Sequence, residues 1–138
     1  MIDANNITID LGGHTVNGTG VNSNDGRCIQ AGTFENGALN NPVNITIENG
    51  TIVNDGSAVY FFSAGTASLE GVKVTGREAA CGIFISGSRN VRIMNNTITN
   101  CGFFIAQPDY AWVTGNTLIN SPVQQTDSRH VVITGNQP

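Results

Sequence analysis

The chain has 138 residues and a mass of 14.5 kDa, enough for one domain with a single elongated core. Six Lys+Arg stand against ten Asp+Glu, giving a net charge of -4 and a pI near 4.8. An acidic chain without a basic cluster argues against nucleic acid and anionic membrane as partners, and no apolar run is long enough to cross a bilayer.

The opening stretch, MIDANNITID, has neither the charged nor the apolar segment of a secretory leader, so as written the chain reads as cytoplasmic unless a leader was removed. Its three cysteines, Cys28, Cys81 and Cys101, form no CxxC spacing and offer no zinc or redox motif. Seventeen glycines with abundant Asn, Thr, Ile and Val suit short strands joined by corners that need positive φ.

In chain order, ITIDLGGHTVNG at residues 7–18 opens the pattern, with His14 expected to shape the first turn. A long first turn follows, with loops at 19–27 and 33–42 around a strand at Cys28 to Ala31. Regular turns run from residue 43 on, and the last turn, 131–138, is incomplete. One apolar marker recurs as Ile9, Ile47, Leu69, Ile93, Val113 and Ile133; subtraction gives intervals of 38, 22, 24, 20 and 20. A period of about 20 with insertions, lacking leucine-rich or helical spacing, predicts a strand solenoid.

Strand side chains alternate faces, so Ile45/Ile47, Ala67/Leu69, Val91/Ile93, Ala111/Val113 and Val131/Ile133 should point inward. Each pair is followed by a residue suited to a left-handed backbone: Asn49, Gly71, Asn95, Gly115 and Gly135. Ile52, Val74, Ile98 and Leu118 then turn inward again, and a third strand is marked by Val59/Phe61, Ile83/Ile85, Phe103/Ile105 and Val123/Gln125. Stacked turns would align Asn96, Asn116 and Asn136 as an asparagine ladder, and Ser57, Cys81, Cys101 and Ser121 as an inner row of small residues with free thiols.

ITIDLGGHTVNG, NITIENGTIVN and NVRIMNNTITNCGFFIA together resemble the right-handed parallel β-helix family, the pectate-lyase-like or carbohydrate-associated repeat proteins. The resemblance covers nearly the whole chain and implies one all-β domain, a single right-handed parallel β-helix of about five turns with three short strands each. It says less about activity, because this fold hosts several chemistries. In the family, sites usually lie outside the strand after the variable corner, which is the row Tyr60, Phe84, Phe104 and Gln124 here. Three aromatics there suggest a binding face, either for a polysaccharide or for protein.

The inserted corner beside that row carries Asp25, Arg27, Asp55, Arg77 and Glu78. Asp25, Asp55, Arg77 and Glu78 are weak catalytic candidates: similar lyases pair Ca2+ with an Arg or Lys base, and hydrolases need two carboxylates. The lyase and polygalacturonase motifs are missing, so solvated loop charge is the simpler reading. No metal site and no cofactor are expected, with Ca2+ relevant only to a lyase. At the opposite corner Arg89, Asp109 and Arg129 should align as ion pairs, beside Asn90, Tyr110 and His130, with Asp127, Arg129 and His130 as an alternative acid/base cluster.

The expected function is a non-catalytic binding or self-associating module. It would form a homo-oligomer through the aromatic row or the uncapped C-terminal end. A carbohydrate-active lyase or hydrolase on an acidic polysaccharide is the alternative.

Overall fold

The computed structural model describes residues 1–18, 26–54, 56–76 and 81–138, and all of its regular structure is β-strand. The first turn supplies β1 (Ile7–Asp10), β2 (Thr15–Asn17) and β3 (Ile29–Ala31), then β4 (Thr33–Glu35) and β5 (Ala38–Asn40). Next come β6 (Ile45–Asn54), β7 (Val59–Phe62), β8 (Thr66–Gly76) and β9 (Cys81–Ser86). The last turns give β10 (Asn90–Met94), β11 (Thr97–Thr99), β12 (Gly102–Ala106), β13 (Tyr110–Thr114), β14 (Thr117–Ile119), β15 (Val123–Thr126) and β16 (His130–Thr134).

These strands stack into a right-handed parallel solenoid. One sheet runs β1-β6-β8-β10-β13-β16, with the short strands β2, β11 and β14 on its far side, and a second runs β3-β7-β9-β12-β15. About four turns close in regular succession from Ile45 on, one fewer than expected, because the long first stretch and the final strand do not make full regular turns. The first two strands of a turn fuse into one element in β6 and β8, where pairing continues through the corner from Gly50 opposite Val72 to Asn54 opposite Gly76.

The alternation places the core as expected. Ile45, Ile47, Leu69, Val91, Ile93, Ala111 and Val113 are all buried, as are Ile52, Val74, Ile98, Val59, Phe61, Ile83, Ile85, Phe103 and Ile105. Each large apolar side chain buried this way contributes about 1.5–3 kcal/mol. Ile133 holds the same inward position in the terminal strand β16 but is 39% exposed, and Gln125 is exposed in terminal β15, because each has a neighbouring strand on one side only.

Left-handed corners explain why the turns repeat. Asn49, Gly71, Asn95, Gly115 and Gly135 all have φ between 57° and 67°. A second left-handed row, Ser63, Gly87, Gln107 and Asp127, ends the third strands and is not evident from residue type alone. Behind the first corner, Asn136 Oδ1 accepts from the Asn116 backbone N–H and side-chain amide, both at 2.9 Å, and Asn116 Oδ1 accepts likewise from Asn96 at 2.9 and 3.1 Å. Asn96 Oδ1 in turn accepts from the Val72 N–H at 2.9 Å, while the Asn96 and Asn116 amides donate to the carbonyls of Leu69 and Ile93. Asn96 and Asn116 are buried, so these bonds satisfy groups that water cannot reach.

Two expectations need correction. Residues 33–42 are not a plain loop: β4 and β5 form an antiparallel hairpin, because Asn36 and Gly37 take φ of 52° and 76°, the left-handed pair of a two-residue turn. Cys81 pairs with Gly102 rather than Cys101, since the register between β9 and β12 shifts at Gly102/Phe103; the Cys81 side chain lies outside the described residues. Cys28 and Cys101 are free thiols. Cys101 fills the space that Gly76 and Gly82 leave, since a Cβ on Gly82 would collide with its Sγ.

Candidate binding face

The second sheet carries the aromatic row in register on its outer side. Gln30 pairs with Tyr60, Tyr60 with Phe84, Phe84 with Phe104 and Phe104 with Gln124. Their neighbours along each strand, Val59/Phe61, Ile83/Ile85 and Phe103/Ile105, are buried, so alternation forces these rings outward. Tyr60 and Phe84 meet edge to face at 4.9 Å between centroids, and Phe84 and Phe104 stack at 5.1 Å and 18°. All three are half-buried, since each ring covers part of the next. The row is therefore less open than a bare apolar patch, and its rings are held in place by one another.

At the Tyr60 end the row runs into a cleft of about 250 Å³ between the second sheet and the β4–β5 hairpin. Its walls mix aromatic and polar groups: Tyr60 and Phe62 from β7, Phe34 and Glu35 from the hairpin, and Arg27 and Gln30. Arg27 sits over the Tyr60 ring at 4.3 Å, a favourable contact for a cation on a π face. Its Nη1 donates to Gln30 Oε1 at 3.0 Å, and Gln30 Nε2 donates to the Gly32 carbonyl at 2.8 Å. That relay anchors the guanidinium to the backbone. Phe34 is 64% exposed, so the hairpin presents an aromatic face that its own chain does not cover.

Of the charged residues proposed for the inserted corner, Arg27 joins the cleft, whereas Asp25, Asp55, Arg77 and Glu78 lie outside the described residues. Glu35 is the acidic group that sequence reasoning missed, because it sits on a hairpin read as a loop. The Asn36-Gly37 pair between short apolar runs was the signal for it.

At the opposite corner Asn90, Tyr110 and His130 are in register, but no side-chain ion pair links Arg89, Asp109 and Arg129 among the described residues. These side chains are exposed, where water competes effectively for the charges. His130 stacks on Tyr110 at 4.6 Å and 16°, and Tyr110 lies nearly parallel to Trp112 at 5.9 Å. Arg92 lies 5.6 Å from the Trp112 ring. This second aromatic group escaped the sequence reading, which followed Tyr110 as part of a charge row and left Trp112 out. At His14 the backbone N–H donates to the Leu11 carbonyl and the backbone carbonyl accepts from the Thr51 N–H.

A parallel solenoid whose turns repeat through left-handed asparagine and glycine corners defines the class as a β-helix. Residues 2–137 match the family described as right handed beta helix region, and the chain belongs to that family. No curated protein and no solved structure matches it.

Proposed function

We propose that this chain is a non-catalytic binding module whose ligand is a polysaccharide, held along the Tyr60–Phe84–Phe104 row and in the cleft beside it. The observation that carries the reading is the continuity of an ordered aromatic row with a cleft lined by both aromatic and hydrogen-bonding groups. A sugar ring has an apolar C–H face and a polar rim. Tyr60, Phe62 and Phe34 suit the first; Arg27, Gln30 and Glu35 suit the second. At about 250 Å³ the cleft is smaller than the 300–1,000 Å³ usual for sites that engulf a small molecule. It fits one unit of a longer ligand that continues along the row.

Calorimetric titration of the chain with a panel of neutral and acidic oligosaccharides tests this. Binding should be found, and Phe84→Ser and Phe104→Ser should each weaken it about 2- to 12-fold, given about 0.5–1.5 kcal/mol per aromatic contact beyond burial. Circular dichroism should show both variants folded, because neither ring belongs to the core. Absence of binding across the panel overturns the reading. Release of unsaturated or reducing products, with or without Ca2+, would instead support the lyase or hydrolase alternative.

A further inference from the structure

The outer face of the first sheet is divided by charge. Before the corner at Asn49 and Gly71, the outward residues on β1, β6 and β8 include Asp10, Glu48 and Glu70, in register with one another, and hydroxyls such as Thr8, Thr46 and Ser68. On this part of the face the three carboxylates have no cation or aromatic ring beside them; the exposed Lys73 of β8 lies past the corner. On β10, β13 and β16 the outward residues include Arg92, Tyr110, Trp112, His130 and Val132, with no carboxylate. Arg89 and Arg129 add positive charge at the corner before β10 and β16, with Asp109 between them. Tyr110 and Val132 are 43% and 41% exposed, unlike the mutually shielded row on the second sheet.

We propose that this face pairs with the same face of a second copy of the chain. A two-fold axis parallel to the strands and lying between the faces keeps the residue rows and inverts the order of turns. It sets β8 against β10, β6 against β13 and β1 against β16 of the partner copy. Arg92 then meets Ser68 and the neighbouring Glu70 across the interface, twice over by symmetry, and Trp112 meets Thr46 beside Glu48. Such an interface is self-complementary, as a closed two-fold dimer requires. The opposite registration, with turns in the same order, would set the carboxylate halves against each other and is disfavoured by repulsion.

Six strands at about 4.8 Å and three outward rows give a face of roughly 350 Å² per copy, about 700 Å² in total, within the small and transient class of interfaces. The dimer is accordingly weak, and because its pairing is electrostatic it weakens with salt. The face is distinct from the proposed polysaccharide site, so either claim can fail alone.

Sedimentation velocity over a wide concentration range, at low and high salt, tests the proposal with Glu70→Arg, Arg92→Glu and the double variant. Both side chains are exposed, so the fold should tolerate the changes, and urea midpoints equal to wild type would check it. Wild type should dimerise reversibly at low salt and dissociate as salt rises. Each single reversal should weaken dimerisation about tenfold or more, and the double reversal should restore it, as coupled charge pairs do. Strict monomers throughout would overturn the proposal. So would a double variant that stays monomeric, or a dimer lost in Phe84→Ser but indifferent to both reversals.

Discussion

Asn116 shows how much of this fold rests on a single side chain. It is buried, it accepts from the Asn96 backbone and amide, and it donates to the Ile93 carbonyl. Alanine there would leave buried donors and a carbonyl unpaired, at about 1–3 kcal/mol for each group orphaned. Urea denaturation should therefore place Asn116→Ala well below wild type. Asn120→Ala, whose exposed amide donates to Asn100 Oδ1, gives up only a solvent-accessible bond but sets alanine at φ of 48°, so its cost of about 1–2 kcal/mol should be mostly backbone strain. Cys101 is a second residue whose setting is informative. Burial is the main cause that holds its thiol pKa above the ordinary value of 9.0, with weaker opposition from hydrogen bonds at Gly76, Thr99 and Ser121. A raised folded pKa contributes stability that is fully present below 9.0 and is lost as pH rises through the folded value. Cys101→Ala should flatten this loss in urea midpoints measured across pH 9, and the native thiol should resist alkylation at neutral pH until the chain unfolds.

Among the elements, the β4–β5 hairpin decides whether the aromatic row ends in open solvent or in a cleft. Gly37 has φ of 76°, and a Cβ there would have nothing within 4 Å, so replacing it costs backbone strain alone. Gly37→Val should disrupt the turn by about 1–2 kcal/mol. It should weaken oligosaccharide affinity in titration while leaving the global urea midpoint unchanged, because Phe34 and Leu39 lie outside the core. Gly37→Asn, which tolerates a left-handed backbone, should retain most of the affinity. The hairpin also marks where sequence reading stopped. Inward and outward rows were legible because strand alternation is strict, and Tyr60, Phe84 and Phe104 could be placed in register without coordinates. Glu35 could not be placed, since its position depends on how an insertion folds back. The Trp112 cluster was missed for a different reason: Trp112 has Arg92 and Val132, not rings, in register on the neighbouring strands, and its aromatic contact is Tyr110 on its own strand.

At the scale of the molecule, one coil presents two outward faces of different chemistry on a common core. The solenoid makes this economical, because a core that repeats leaves the outward residues of each sheet free to vary. Core integrity should be shared along the stack: Ile93→Ala, at a fully buried site, should cost about 2–5 kcal/mol and be felt at both faces. The central claim is that the second sheet's outer face is a polysaccharide-binding surface. It is tested most directly by nuclear magnetic resonance, titrating isotope-labelled chain with the tightest-binding oligosaccharide of the panel. Resonances of Phe34, Tyr60, Phe62, Phe84 and Phe104 should shift together and saturate, while Tyr110 and Trp112 stay in place. Shifts confined to Tyr110 and Trp112, or none with any oligosaccharide, would contradict it.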